Sequence, residues 1–372
     1  MMRIDHPFCA CLFLLVFGLS GCSKEQSSAG LKTGIMQSAD AQIVDLGTPD
    51  TSADGIDDPR DLGPEDRGMD LADVAPGDDL DTSIAEDPRA DVFDAPDLPP
   101  IESGEHILSH DGIDRTFVLY VPDNLPAGAP LVYVMHGYTN SPADIITYAG
   151  FREIADTHGV VVCYPRGTVD EWGYHFFSVG YEFHQNTAID DVGFIRALNR
   201  HLQARLDLSS DHVFATGMSN GGEMSYLLAC QASDLFAAIA PVAATMMKSF
   251  FDTCFPTQPM PVFAIHGTQD NITLYDGNLN DTQWGPYQGI PSIISFWSQH
   301  NGLSQIETKD LEDSRPSDGS TISFDRHYQQ GSSTEVWLYR VDRGGHDWPG
   351  AWGNLDIESS EEIWRFFSQY LN

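Results

Sequence analysis

From residue 104 onward the chain alternates short apolar runs with longer segments whose apolar residues recur every three or four positions. Runs of the first kind suit buried strands and the second spacing suits amphipathic helices. The pattern therefore predicts an α/β fold, a mainly parallel central sheet covered by helices on both faces. Strands are expected near 117–121, 131–135, 160–164, 213–216, 237–242, 262–265 and 336–341. An opening hairpin is expected to turn at Asp111-Gly112, a pair that tolerates the positive φ of tight turns. The clearest helix carries Ile189, Val192, Ile195, Leu198, Leu202 and Leu206 on one stripe. Other helices are expected near 143–157, 221–232, 291–300 and 358–371.

Residues 23–103 lack this pattern. They are rich in Asp, Pro, Gly, Ala and Ser, and residues 23–100 hold 20 Asp and Glu against 5 Lys and Arg. Such a segment buries too little apolar surface to offset its ordering entropy, so a disordered tether is expected. Its like charges repel, extending its reach beyond the roughly 50 Å of a neutral flexible chain of that length. The Asp spacing is irregular, unlike a calcium-binding repeat. Residues 1–22 read as an export signal: Arg3, an apolar run from Cys11 to Leu19, then Leu19-Ser20-Gly21-Cys22. That tetrad resembles a lipobox, which implies a diacylglycerol on Cys22. The apolar run is too short to span a bilayer. The expectation is an exported protein anchored by lipid alone to a bacterial membrane, at the outer membrane or cell surface, with residues 104–372 forming one domain.

The formal net charge of −36 excludes a nucleic-acid partner, which needs clustered Lys and Arg. Candidate chemistry lies elsewhere. Gly217-Met218-Ser219-Asn220-Gly221 has the form G-x-S-x-G, after an apolar run and before a helical pattern, which is the context of a nucleophile elbow. A serine hydroxyl needs a base near neutral pH, and histidine has the right proton affinity. Of the 13 His, only His300, His327 and His346 follow the last acid-bearing strand expected. His346 alone stands in a glycine-rich loop, Arg343-Gly344-Gly345-His346-Asp347-Trp348-Pro349-Gly350, just past a strand. The acid that orients it is expected to be Asp270, five residues past Ile265, with Asp276 as the nearest rival. Backbone N–H groups of Asn220 and of Tyr138, or second of Thr139, are expected to hold the oxyanion. His136, in the same loop, is expected to bond to the loop beneath it and stays outside the catalytic set.

The motifs in this order are Met135-His136-Gly137-Tyr138-Thr139, Tyr164-Pro165, Asp190-Asp191-Val192-Gly193-Phe194-Ile195, Gly217 to Gly222, His266 to Asp270 and Gly344 to Gly350. From about residue 104 to its end the chain resembles the polyhydroxybutyrate depolymerase and feruloyl esterase group of α/β-hydrolases, secreted carbohydrate esterases of the family one type. The resemblance implies no metal or organic cofactor. It implies cleavage of hydroxy-acid esters, or of acetyl or hydroxycinnamoyl esters on plant polysaccharide, through an acyl-enzyme. Acyl transfer to a sugar on the same triad, and a catalytically silent surface binding protein, are the alternatives.

Thr139, Trp172, Trp284 and Trp348 are candidates for contact with substrate, with core packing an equal expectation for the tryptophans. Asp190-Asp191 opens a helix without His or Cys partners at ligand spacing, so capping is expected rather than metal binding. Cys230 and Cys254 are the pair expected to bridge, and Cys163, in an apolar run, is expected to be a buried thiol.

Overall fold

The computed structural model describes residues 99–185 and 189–371. The expected export signal, the lipidation site Cys22 and almost all of the expected tether lie outside these residues.

Strands β1 (Gly104–His110) and β2 (Ile113–Tyr120) form the opening hairpin. It turns at Asp111 and Gly112, with φ 50° and 75°, as the two-residue turn requires. After β3 (Ala129–Met135), α1 (Pro142–Ala149) and α2 (Phe151–His158) replace the single helix expected near 143–157. Gly150 between them adopts φ 60° and breaks the helix. There follow β4 (Val161–Pro165), the small hairpin β5 (Thr168–Val169) and β6 (His175–Phe176), and α3 (Asp191–Arg205). Then come β7 (Leu208–Met218), α4 (Asn220–Gln231), β8 (Ala238–Val242), β9 (Met246–Met247), α5 (Lys248–Phe251) and β10 (Val262–Gly267). The chain continues through β11 (Gly277–Asn278), β12 (Tyr287–Gln288) and α6 (Ile290–His300). It closes with β13 (Gln305–Asp310), β14 (Thr321–Tyr328), β15 (Val336–Asp342) and α7 (Ser359–Phe367).

The main sheet has ten strands in the order β1-β2-β4-β3-β7-β8-β10-β15-β14-β13. Its six central strands run parallel, and an antiparallel pair is added at each edge. The central strands are covered on both faces, which is why β3, β4, β8 and β10 are buried at every position and read as unbroken apolar runs. One face packs Phe194, Ile195, Leu198 and Leu202 of α3. The other packs Ile363, Trp364, Phe366 and Phe367 of α7.

Asp190 and Asp191 split the capping role expected of them. Asp190 Oδ1 accepts from the N–H of Gly193 at 2.7 Å as the α3 cap. Asp191 is buried and pairs with Arg115 of β2, which also lies over the Phe194 ring at 4.1 Å. The pair ties α3 to the edge hairpin. Cys163 is a buried thiol. Cys230 and Cys254 are bridged, joining the end of α4 to the loop before β10 across 24 residues. Closing a loop of that length is worth about 3 kcal/mol. Replacing both cysteines by serine is expected to lower the melting temperature by several degrees while leaving the far-ultraviolet circular dichroism unchanged.

Candidate active site

Four loops at the carboxyl edge of the parallel strands carry the residues expected as nucleophile, base, acid and backbone donors. At the end of β7, Ser219 adopts φ 55° and ψ −122°, a conformation that L-residues rarely hold. Its N–H donates to the carbonyl of Val242 at 2.9 Å, and its carbonyl receives the N–H of Glu223 at 2.8 Å, so the strained residue is pinned on both sides. A Cβ on Gly221 would stand 2.1 Å from the carbonyl oxygen of Met135, and one on Gly217 2.5 Å from the same atom. Only glycine lets the head of α4 press this closely on the end of β3. A helix begins at Asn220, so the Asn220 N–H has no partner within its own helix and forms part of the positive end of the helix dipole.

The other peptide expected to donate lies in the loop after β3. His136 Nε2 accepts the N–H of Gly167 at 3.0 Å, which leaves the ring proton on Nδ1, donated to the carbonyl of Gly137 at 2.8 Å. The same carbonyl accepts from Asn140 N–H at 3.2 Å. A trans peptide directs its N–H opposite to its carbonyl, so these bonds fix the direction of the Tyr138 N–H. The Thr139 N–H is already given to the carbonyl of His175 at 2.9 Å, which favours Tyr138 over Thr139 as the oxyanion donor. Gly137 and Ser219 are neighbours, since a Cβ on Gly137 would lie 3.5 Å from the Ser219 Cβ. Burial pushes His136 down to about 4, so the ring stays neutral near pH 7 and keeps this tautomer.

On the far side of β8, β10 ends in the loop bearing Asp270 and β15 in the loop bearing His346. His346 Nδ1 meets Asp270 Oδ2 at 2.8 Å. Asp270 is 3 % exposed, and its Oδ1 accepts from the N–H groups of Ile272 and Thr273 at 2.8 and 2.9 Å. Burial pushes this carboxyl up, but His346 and the backbone donors outweigh it and hold it below its ordinary value. An ionised carboxylate accepts a hydrogen bond from Nδ1–H, which keeps the proton on Nδ1 and leaves Nε2 as an acceptor, the tautomer a general base needs. Thr273 Oγ1 stands 3.0 Å from Asp270 Oδ2, and His266 Nε2 donates to the carbonyl of Thr273 at 2.8 Å, which steadies the acid loop. Asp270 rather than Asp276 meets the imidazole. His300 bonds to the carbonyl of Gln258 and His327 lies on β14, both away from the acid.

Aromatic side chains gather around Tyr138. Its ring lies 5.8 Å from Trp284, 5.8 Å from Phe183, 5.9 Å from Tyr174 and 6.2 Å from Tyr181. Trp172 packs on Phe183 at 5.7 Å. Asp170 organises this cluster: its carboxylate accepts from Tyr138 Oη at 2.7 Å and from the N–H groups of Trp172 and Tyr174. Trp172 and Tyr174 remain 43 % and 45 % exposed, and Trp284 is half-buried. Thr139 is exposed beside them.

Trp348 departs from the expectation of a substrate-contacting wall. It is 1 % exposed, packs on Tyr148 at 5.6 Å and donates from Nε1 to Ser360 Oγ. Apolar burial draws this ring into the core, and Trp352 takes the exposed place in the same loop at 37 %. Sequence reasoning missed Asp170 and Thr273, loop residues whose short contexts carry no periodic signal.

The family described as esterase PHB depolymerase matches residues 115–310. The chain belongs to this family. It is 27 % identical over 223 residues to feruloyl esterase B of Piromyces equi, covering 59 % of this chain and 39 % of that protein. It is 28 % identical over 204 residues to poly(3-hydroxyalkanoate) depolymerase C of Paucimonas lemoignei, covering 46 % of this chain and 48 % of that one. The chain thus spans less than half the length of either relative. Among solved structures, the acetyl xylan esterase from Aspergillus awamori superposes with a TM-score of 0.51 at 15 % identity, over 72 % of this chain and 99 % of that one. That likeness is one of fold, an α/β-hydrolase.

The His136 bonds predict that His136→Ala frees the Gly137–Tyr138 peptide. Turnover of a soluble aryl ester is expected to lose about a hundredfold in kcat with KM little changed, the loss typical of one oxyanion donor. Steady-state kinetics at pH 7 checks this.

Proposed function

We propose that this member of the esterase family is a serine carboxylic ester hydrolase that works through an acyl-enzyme. Ser219 is the nucleophile, His346 the general base and acid, and Asp270 the residue that holds the imidazole. The observation that carries this reading is the strained Ser219 at the head of α4, beside a loop whose peptide direction is fixed, with an Asp–His pair at 2.8 Å on the same sheet edge. As the Oγ–carbon bond forms, the Ser219 proton passes to His346 Nε2. The carbonyl electron pair moves to oxygen, facing the Tyr138 and Asn220 N–H groups. His346 then gives the proton to the departing alkoxide, and water repeats the sequence to release the acid.

The aromatic cluster around Tyr138 favours esters with a flat ring in the acyl part, as on feruloylated polysaccharide. Acetyl esters and short hydroxyalkanoate esters are the further candidates suggested by the relatives' names. Export and lipid anchoring rest on the sequence of residues 1–22, and the acidic segment that follows would hold the enzyme clear of its membrane.

A fluorophosphonate probe is expected to label the wild type and leave Ser219→Ala unlabelled; equal labelling of both removes the nucleophile assignment. A panel of methyl ferulate, naphthyl acetate, acetylated xylan and hydroxybutyrate oligomers tests the ester class. Trp284→Ala is expected to raise KM for methyl ferulate several-fold more than for naphthyl acetate, in keeping with about 1 kcal/mol per aromatic contact.

A further inference from the structure

The loop that presents the Tyr138 peptide is strained, and the β5–β6 hairpin holds it. Thr139, directly after Tyr138, sits at φ 70°, a conformation that a β-branched residue keeps only when its surroundings impose it. The base, tip and returning strand of the hairpin meet three residues of the loop in turn. Gly167 N–H donates to His136 Nε2 at 3.0 Å, Tyr138 Oη donates to Asp170 Oδ2 at 2.7 Å, and Thr139 N–H donates to the His175 carbonyl at 2.9 Å. His175 Nδ1 also lies 3.1 Å from the Gly167 carbonyl oxygen, which closes the base of the hairpin.

Asp170 is the central member of this contact. Its side chain is only 2 % exposed, and both carboxylate oxygens are engaged. Oδ1 accepts the N–H groups of Trp172 at 3.0 Å and Tyr174 at 2.9 Å, which shapes the hairpin tip. Oδ2 faces Tyr138 Oη on one side and His184 Nε2, 3.3 Å away, on the other. Burial pushes the carboxyl up, but Tyr138, the backbone donors and His184 outweigh it and hold it below its ordinary value. The bond from Tyr138 therefore runs to a charged acceptor, which makes it one of the stronger kind. A ring needed only for packing would not require a buried carboxylate beneath its hydroxyl, since phenylalanine over an apolar residue fills such a space at less cost.

We propose that Asp170 is a positioning residue for ester cleavage: by gripping Tyr138 Oη it holds the Cα end of the Gly137–Tyr138 peptide, whose N–H serves the oxyanion. The inference rests on the esterase reading above. His136 and Asn140 secure the carbonyl end of that peptide and so set its direction. A peptide held at one end still tilts, and the strain at Thr139 favours such a tilt. With both ends held, the donor stands in place before charge develops on the substrate oxygen, and no reorganisation is left to the reaction step. Asp170 forms and breaks no bond in the reaction; it acts through Tyr138.

The test combines steady-state kinetics on naphthyl acetate with inhibition by trifluoroacetophenone, whose adduct with Ser219 carries an oxyanion. Tyr138→Phe keeps the ring and the backbone N–H and removes only Oη. It is expected to lower kcat about tenfold with KM within about twofold, a part of the loss typical of one oxyanion donor. Affinity for the inhibitor is expected to fall by a similar factor, because the adduct resembles the transition state. Asp170→Asn is expected to show the same pattern, and the double variant to be no slower than the slower single one, since both changes weaken one bond. A kcat in Tyr138→Phe equal to that of the wild type overturns the inference, as does a double variant whose losses multiply. So does a loss confined to KM, or a fall in kcat with inhibitor affinity unchanged, because the donor is then undisturbed. Should Asp170→Asn fail to fold, the paired change of kcat and inhibitor affinity in Tyr138→Phe decides alone. Absent turnover by the wild type would overturn the esterase reading and this inference with it, whereas normal turnover beside an unchanged Tyr138→Phe sinks this inference alone.

Discussion

The close approach of the α4 head to the end of β3 is the constraint on which the site depends. The Met135 carbonyl oxygen occupies the space where Cβ atoms of residues 217 and 221 would lie, so two glycines are required and the serine between them is held at positive φ. Strain of this kind costs on the order of 1–3 kcal/mol and persists because the surroundings over-determine it. Here the surroundings are the β3–β7 register, in which Met135 faces Gly217, and the bond from Ser219 N–H to Val242. The same contact brings the loop after β3 beside the serine, so a single packing event sets both the elbow and the peptide that faces it.

The rest of the site follows from strand order. β3 and β7 are neighbours, as are β10 and β15, and β8 separates the two pairs. One pair presents Ser219 and the Tyr138 peptide, and the other presents Asp270 and His346. Each half is internally cross-bonded: His136 and Asn140 secure the first, Thr273 and His266 the second. The Asn220 side chain adds a brace, accepting from Phe177 N–H and donating to the Phe177 carbonyl. That clasp holds the strand next to His175, whose carbonyl fixes Thr139.

Much of this was legible in the residues. Central strands covered on both faces leave solid apolar runs, and the G-x-S-x-G context, the glycine-rich His346 loop and the Asp270 position each follow such a run. What was not legible lacks that signal. β13 is exposed at every position and reads as a polar connection, and the two-residue strands β5, β6, β11 and β12 are too short for any period. Asp170 looks like one more acidic loop residue until Tyr138 and two backbone N–H groups are seen to converge on it. Trp348 and Trp352 share one loop, and only three-dimensional packing decides which ring turns inward.

The exposed outer strand has a consequence for how copies of this protein meet. β13 ends the ten-strand sheet with a free row of backbone groups, a template on which another chain could add itself. Its side chains include Glu307, Lys309 and Asp310, charges of both signs whose desolvation would accompany any edge-to-edge docking. Crowded molecules therefore meet a hydrated, mismatched rim, which disfavours zipping into continuous sheets.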